Sequence, residues 1–128
     1  MKILLDTHAF LWWVFDDERL SARARRAIGD PRNEVLVSAV SGWEIAVKAA
    51  AGRLELPDPP DHFVPEQLRA NAFGAMPLTM SHALAVSRLP GLHADPFDRL
   101  LISQAIVERS TLVSADAEIA RYPVKVTW

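Results

Sequence analysis

Four acidic side chains stand where apolar or uncharged residues would be expected: Asp6, Glu44, Asp98 and Asp116. Asp6 directly follows the apolar run 2–5, and Asp116 lies two residues beyond the apolar run 111–114. In open α/β sheets, ligands bind at the carboxyl ends of the strands, so both carboxylates are predicted to face a site there. The alternative for each is an ordinary helix N-cap, which aspartate often supplies after a strand.

Glu44 lies inside the apolar stripe of a predicted helix over 38–51, four residues after Val40 and three before Val47. A carboxylate turned toward a core is costly unless it is paired or bound to metal. The alternative is a capping box with Ser41, but Ser38 directly follows a predicted strand and is the better N-cap. We therefore favour a functional role for this side chain.

Asp98 is predicted to lie in the first turn of a helix that begins at Pro96, with Asp95 as its N-cap. An acid in that turn interacts well with the helix dipole, so a stabilising role is the simpler alternative. Asp98 also shares a face with Leu101 and Ile102, which should pack inward. Because Asp95 already supplies the cap, Asp98 is free for chemistry.

The four carboxylates come from separate segments and offer oxygen ligands only. Such a set suits a hard divalent cation, Mg²⁺, with Mn²⁺ able to replace it. A cation held this way activates water and stabilises charge on a phosphoryl group, which favours phosphodiester hydrolysis. The chain has no cysteine, no glycine-rich phosphate loop and no histidine pair at metal-ligand spacing. The histidines are interpreted as structural: His8, His62, His82 and His93.

The elements that must position these acids alternate along the chain. Short apolar runs predict strands at 2–5, 34–37, 75–78, 111–114 and 124–126. Helical patterns lie at 21–28, 38–51, 65–72, 81–87 and from Pro96 onward, and the proline-rich segment 57–65 is predicted to be a stiff connector. Strands separated by helices predict an α/β fold with helices on both faces of a parallel sheet.

Composition sets the limits within which any function must fall. The chain has 128 residues, half of them hydrophobic, and a formal net charge of −2. This favours one domain, 1–128, and no run reaches the roughly 18 apolar residues of a membrane helix. We expect a cytoplasmic protein with no membrane partner. The charge balance excludes a generally basic nucleic-acid binder, so such a role must depend on a local patch or on metal.

Three motifs occur in the order seen in a known family. The segments Asp6-Thr7-His8, Asp95-Pro96-Phe97-Asp98-Arg99 and Leu112-Val113-Ser114-Ala115-Asp116, together with Trp43-Glu44, resemble the PIN-domain ribonucleases, and among them the VapC-type toxins. The resemblance spans nearly the whole chain. It implies a three-layer α/β/α domain with a central, mainly parallel sheet of four to five strands.

The resemblance also implies a role for each site residue. Asp6 and Asp98 would be the principal magnesium ligands, and Glu44 and Asp116 would complete the cluster. The supporting residues would be Thr7, Asp95, Arg99 and Ser114. Of these, Arg99 is the candidate phosphate contact, and Asp95 stays an N-cap beside the site.

The partners implied are an RNA substrate, a cognate antitoxin of the Phd/YefM type and a second copy of the chain. Aromatic residues of the first helix would divide between the core and such an interface: Phe10, Trp12, Trp13 and Phe15. The arginines at 19, 23, 25 and 26 favour a solvated face balanced by the acids at 16–18, with an antitoxin contact as the alternative.

Two other functions remain open at this point. A PIN-like module that binds RNA or a partner without cleavage would keep the fold, although four intact acids argue against it. A flavodoxin-like phosphoacceptor domain also clusters acids at strand ends. It would need adjacent acids right after the first strand, whereas Asp16 and Asp17 lie ten residues later.

Overall fold

A five-stranded parallel sheet forms the middle layer of the computed structural model, which describes residues 1–128. Its strands are β1 (Lys2–Leu5), β2 (Glu34–Ser38), β3 (Gly74–Met76), β4 (Thr111–Val113) and β5 (Val126–Thr127). They lie in the order β3-β2-β1-β4-β5, and every neighbouring pair is parallel. This order differs from the 2-1-3-4-5 order of flavodoxin-like domains, so the phosphoacceptor alternative is excluded.

Six α-helices connect and cover the strands. They are α1 (Thr7–Val14), α2 (Ala22–Gly29), α3 (Ala39–Ala50), α4 (Pro60–Asn71), α5 (Met80–Ala85) and α6 (Pro96–Val107), with short 3₁₀ turns at Val86–Arg88 and Ile119–Arg121. No helix in the chain combines the length and apolar character needed to cross a membrane.

Both faces of the sheet are buried, as the short apolar strands predict. On one face, Ile3 and Leu5 pack with Phe10 of α1 in a buried cluster. On the other face, Leu4 packs with Leu101 of α6 in a second cluster. Successive side chains of β1 therefore enter different cores, which is the period-two alternation of a strand covered on both sides. The three-layer α/β/α architecture is confirmed.

Helix α4 corrects one prediction. The segment 57–65 is not a connector, because the helix begins at Pro60 and has Pro65 inside it. Pro60 fits the first turn, where its missing N–H has no helical partner, but Pro65 gives up one backbone hydrogen bond. Phe63 is buried, and Leu68 packs against the cluster that contains Phe10, so apolar burial outweighs the cost of the internal proline.

Several predicted boundaries shift by a few residues. Ser38 is the N-cap of α3, where its hydroxyl accepts a hydrogen bond from the Val40 N–H at 2.9 Å. Strand β3 ends before Pro77, because proline cannot donate to a sheet. The last strand pairs at Val126–Thr127 rather than at 124–126. These shifts leave the predicted order of elements unchanged.

Candidate metal centre

The two central strands place a pair of carboxylates at one edge of the sheet. The strand order reverses between β1 and β4, which is the point where open α/β sheets form a ligand crevice. Asp6 follows β1 directly, and its N–H donates to the Val113 carbonyl at 3.0 Å. Asp116 lies just beyond β4. Both predicted strand-end acids therefore stand at the reversal.

Asp6 and Asp116 also make local backbone contacts. Asp6 is the N-cap of α1 and accepts a hydrogen bond from the Ala9 N–H at 2.8 Å, so its cap role and its place at the crevice coexist. Asp116 caps no α-helix. Its Oδ1 accepts from the Glu118 N–H at 2.9 Å, in the turn before the second 3₁₀ segment. One carboxylate oxygen of each residue is fixed by backbone.

The beginning of α6 delivers two more acids. Asp95 is its N-cap, accepting from the Phe97 N–H at 2.8 Å, as predicted. Asp98 follows in the first turn with its side chain 21% exposed. A cavity of about 400 Å³ lies among these groups, and we call it the acidic cavity. It is lined by Asp6, His8, Trp12, His93, Asp95, Asp98, Ala115 and Asp116.

His93 is a site residue that the sequence interpretation missed. Its Nε2 lies 2.9 Å from Asp116 Oδ2 and 3.1 Å from Asp98 Oδ2. The three side chains place their ligand atoms within 4.8 Å of one another, close enough to hold one metal ion. The available signal was position, because His93 stands two residues before Asp95 in the segment that opens α6. His82, by contrast, is a buried structural histidine, as interpreted.

The pKa values of the carboxylates in the acidic cavity are shifted in different directions. Burial raises the pKa of Asp6, despite hydrogen bonds from Ser114 and the Ala9 N–H. Burial, reinforced by the charge of Asp95, raises the pKa of Asp98 to about 7. Burial also acts to raise the pKa of Asp116, but its hydrogen bond with His93 leads the effects that hold it below the ordinary value. The cavity thus concentrates negative charge that burial disfavours.

His93 responds to the same charges. Burial lowers the pKa of its imidazole, but the hydrogen bond with Asp116 and the charge of Asp98 outweigh this and raise the pKa above its usual value. It is the only basic side chain that lines the cavity besides His8. Hard oxygen ligands with so little balancing charge fit a divalent cation.

Comparison with known proteins agrees with this geometry. A family model described as "PIN domain" matches residues 3–125. The chain is 35% identical to ribonuclease VapC22 of Mycobacterium tuberculosis, over 98% of this chain and 96% of that relative. The chain belongs to the PIN-domain family. Within that family it groups with the VapC-type ribonucleases, which confirms the resemblance inferred from the motifs and favours a nuclease over a non-catalytic module.

Solved structures share the fold of this PIN domain at low sequence identity. VapBC2 from Rickettsia felis, solved with a DNA fragment from its promoter, aligns with a TM-score of 0.74 at 16% identity, covering 100% of this chain and 99% of that chain. FitAcB from Neisseria gonorrhoeae aligns with a TM-score of 0.67 at 17% identity, covering 98% and 96%. These likenesses support the architecture of the PIN domain.

Glu44 lies beside the acidic cavity of this PIN domain rather than in its lining. It is buried at 5% exposure, as predicted, but the predicted apolar stripe is not the buried face of α3, because Val47 is 39% exposed. Its Oε1 accepts from the Thr7 hydroxyl at 2.7 Å, and its Oε2 lies 2.6 Å from the Lys48 ammonium. The capping box with Ser41 does not form, because Ser38 caps the helix. A direct bond from Glu44 to metal stays a prediction.

Arginines of the PIN domain are placed mostly away from the acids. Arg99 donates to the Val86 carbonyl at 3.4 Å and does not line the acidic cavity, so the structure does not position it as a phosphate contact. Arg19 precedes α2 instead of lying on it, and it pairs with Asp17 at 2.7 Å. Arg25 pairs with Asp16 at 2.6 Å. Two of the four arginines are therefore balanced by acids, as interpreted, whereas Arg23 and Arg26 are exposed without an ion pair, and an antitoxin contact there stays a prediction.

Proposed function

We propose that this PIN domain is a metal-dependent endoribonuclease and the toxin of a toxin–antitoxin pair. The observation that carries the proposal is the acidic cavity at the sheet reversal, where Asp6, Asp98 and Asp116 converge from three separate segments. A chain that used these residues only as helix caps would have no need to bring them together. The VapC-type relatives supply the reaction class, cleavage of RNA.

The donor set fits the divalent cation on which members of the family generally depend. Asp98 and Asp116, whose ligand atoms lie within 4.8 Å of one another, would hold it. Asp6 lines the same cavity but lies outside that close group, and it is proposed as a further ligand. We propose Mg²⁺, with Mn²⁺ able to replace it. When bound, the cation would supply Lewis-acid activation of water and stabilise charge on the phosphate. Ser114 assists by accepting a hydrogen bond from the Asp116 N–H at 3.1 Å, and its hydroxyl also acts to lower the pKa of Asp6. His93 balances the charge of Asp98 and Asp116.

Glu44 and Thr7 are proposed to hold the metal ligands in place from outside the lining of the cavity. The Thr7 hydroxyl donates to Glu44 and lies 2.9 Å from the Ser41 hydroxyl, which links the start of α1 to α3. Because Asp6 is the N-cap of that same α1 turn, this linkage fixes the carboxylate in place. Asp95 does the same for Asp98 by capping α6. These residues are proposed to preorganise the ligands.

Mapping of cleaved ends tests the proposal. Total RNA incubated with the protein and Mg²⁺ should acquire new ends at defined positions. Hydrolysis by attacking water should leave 5′-phosphates. Addition of EDTA should suppress the new ends, and excess Mg²⁺ should restore them. Cleavage that is unchanged by EDTA, or no cleavage with either Mg²⁺ or Mn²⁺, would contradict a metal-dependent nuclease.

An antitoxin of the Phd/YefM type is the proposed protein partner, and the cytoplasm is the proposed location. Three of the solved neighbours are VapBC assemblies, and two of these were solved with DNA. Support for the proposal would come from a short reading frame immediately upstream whose product binds the chain and blocks RNA cleavage. A product that binds without reducing cleavage would argue against the antitoxin role.

A homodimer is proposed through the outer face of α3 rather than through α1. Of the aromatic residues predicted for this interface, Phe10 is fully buried and Trp12 and Trp13 are partly buried against the core, whereas Phe15, the C-cap of α1, is 46% exposed and stacks on Phe63. Trp43 is 58% exposed and contacts Phe97 of α6 edge-on, with ring centroids 4.9 Å apart. An exposed tryptophan beside a second aromatic ring is typical of an interface core.

Trp43→Asp should therefore shift the protein from dimer to monomer, because a charge placed in an apolar interface core is left without a partner. The molar mass measured by light scattering during size-exclusion chromatography checks this. Ala22→Asp is the control, since Ala22 is a small exposed residue at the start of α2, and the same added charge there should leave the mass unchanged. A Trp43→Asp protein that stays dimeric would place the interface elsewhere.

A further inference from the structure

A second cavity adjoins the acidic cavity and shares two of its lining residues. His8 and Trp12 line both, so the two spaces lie next to each other at the first turns of α1. The second cavity has a volume of about 230 Å³ and continues between α1 and α3. Its lining changes character, because it carries three basic side chains, Arg19, Lys48 and Arg53, and a single carboxylate, Asp17. We call it the basic cavity.

The shared residues form an aromatic platform at the junction. The rings of His8 and Trp12 are stacked, with centroids 5.4 Å apart and planes inclined by 22°. Trp12 is held from other sides by the edge of Trp128 at 5.7 Å and by the Arg19 guanidinium at 4.9 Å. His8 is exposed. The open surface of this platform is therefore the His8 ring, backed by Trp12.

Two of the three basic side chains of this cavity form ion pairs within the chain, and the third does not. Arg19 pairs with Asp17, and Lys48 pairs with Glu44. Arg53 is exposed and makes neither an ion pair nor a side-chain hydrogen bond within the chain. It is the cation of the basic cavity that is free to meet an external anion.

We propose that the basic cavity is a nucleotide subsite for single-stranded RNA, next to the position of the cleaved phosphate. The base would stack on His8, and the flanking phosphate would contact Arg53. This inference rests on the proposed function for the location of the cleaved phosphate. An aromatic surface beside a free arginine suits a nucleotide, because every base has a face that can stack and every linkage carries a negative charge.

A binding experiment tests the subsite independently of cleavage. A short fluorescein-labelled single-stranded RNA is titrated with the Asp98→Asn protein in Mg²⁺, and anisotropy gives the Kd. Adding His8→Ala should weaken binding at least about fivefold, as expected for loss of one base-stacking contact. His8→Tyr should restore it, because tyrosine keeps the stacking surface without a positive charge.

Arg53 is tested by the salt dependence of the same binding. Arg53→Ala should weaken binding and reduce the slope of log Kd against log salt by about 0.7, the value for one lost phosphate contact on a single strand. Arg53→Lys should recover most of that slope. The matched control is Arg26→Ala, since Arg26 is an exposed arginine of α2 that lines neither cavity.

Each outcome has a distinct meaning. Unchanged binding in His8→Ala and Arg53→Ala, no measurable binding of the RNA, or an equal loss in Arg26→Ala overturns the subsite. Variants that keep RNA binding but no longer associate with the antitoxin would assign the cavity to a protein partner instead. If the wild-type protein cleaves no RNA while these variants still lose binding, the proposed function fails and the subsite stands.

Discussion

Asp98→Asn should lower the rate of RNA cleavage by at least about 100-fold, since the loss of a metal ligand should exceed the 10- to 100-fold effect typical of residues behind the ligands. Asp98 lines the acidic cavity and comes within 3.1 Å of His93, which also contacts Asp116. Asparagine keeps the shape of the side chain but removes the negative charge that a divalent cation requires. Cleavage is measured on labelled RNA at saturating Mg²⁺.

The same substitution should stabilise the metal-free fold at neutral pH. The pKa of Asp98 is about 7 in the folded protein, well above its ordinary value of 3.8, because burial and Asp95 disfavour its charge. Between about pH 4 and pH 7, Asp98 is ionised in the unfolded chain but still largely protonated in the folded protein. The free energy of unfolding therefore falls as pH rises through this range. Removing the charge should recover on the order of 1–3 kcal/mol near pH 8 in EDTA.

Urea unfolding of wild type and Asp98→Asn at about pH 8 and at about pH 4 measures this difference, which should disappear at the lower pH. Asp61→Asn provides the control, because Asp61 is an exposed acid in the first turn of α4 and should change neither cleavage nor stability appreciably. A well-folded Asp98→Asn protein that cleaves RNA at the wild-type rate would contradict the assignment of the site.

The fold follows largely from local sequence signals. The run at β1 and the Asp95-Pro96 start of α6 combine hydrophobic pattern with capping chemistry, and both elements form as predicted. Helix α4 was misjudged because two prolines suggested a connector. The burial of Phe63 against the core, which decides the matter, is a tertiary contact that no local pattern reveals.

The candidate site likewise contains residues that the sequence could place and residues that only the tertiary structure places. Asp6 and Asp116 could be placed because the ends of parallel strands meet at one edge of a sheet. The role of His93 depends on how one loop folds over two other segments, and its position two residues before Asp95 could not by itself predict that fold. Arg99 shows the opposite error, because it was predicted as a phosphate contact from its position next to Asp98. Consecutive side chains of a helix point in different directions, and Arg99 donates to the Val86 carbonyl, away from the cavity.

Metal binding should weaken steeply as pH falls through neutrality. A carboxylate must lose its proton before it can ligate a cation. With the pKa of Asp98 at about 7, the ionised fraction falls about tenfold between pH 8 and pH 6. The Kd for Mn²⁺, measured by calorimetry, should therefore rise at least about tenfold over that range. The raised pKa of Asp6 acts in the same direction.

Two variants identify which group sets this pH dependence. Asp98→Asn should bind Mn²⁺ weakly at every pH and with a shallower slope, because the titrating ligand is gone. His93→Gln should move the midpoint to higher pH, because the charge of His93 is what lowers the pKa of Asp98 against burial and Asp95. A wild-type Kd that is constant from pH 6 to pH 8 would show that the ionisation of Asp98 is not coupled to metal binding. An unmoved midpoint in His93→Gln would show that the imidazole does not balance the acids.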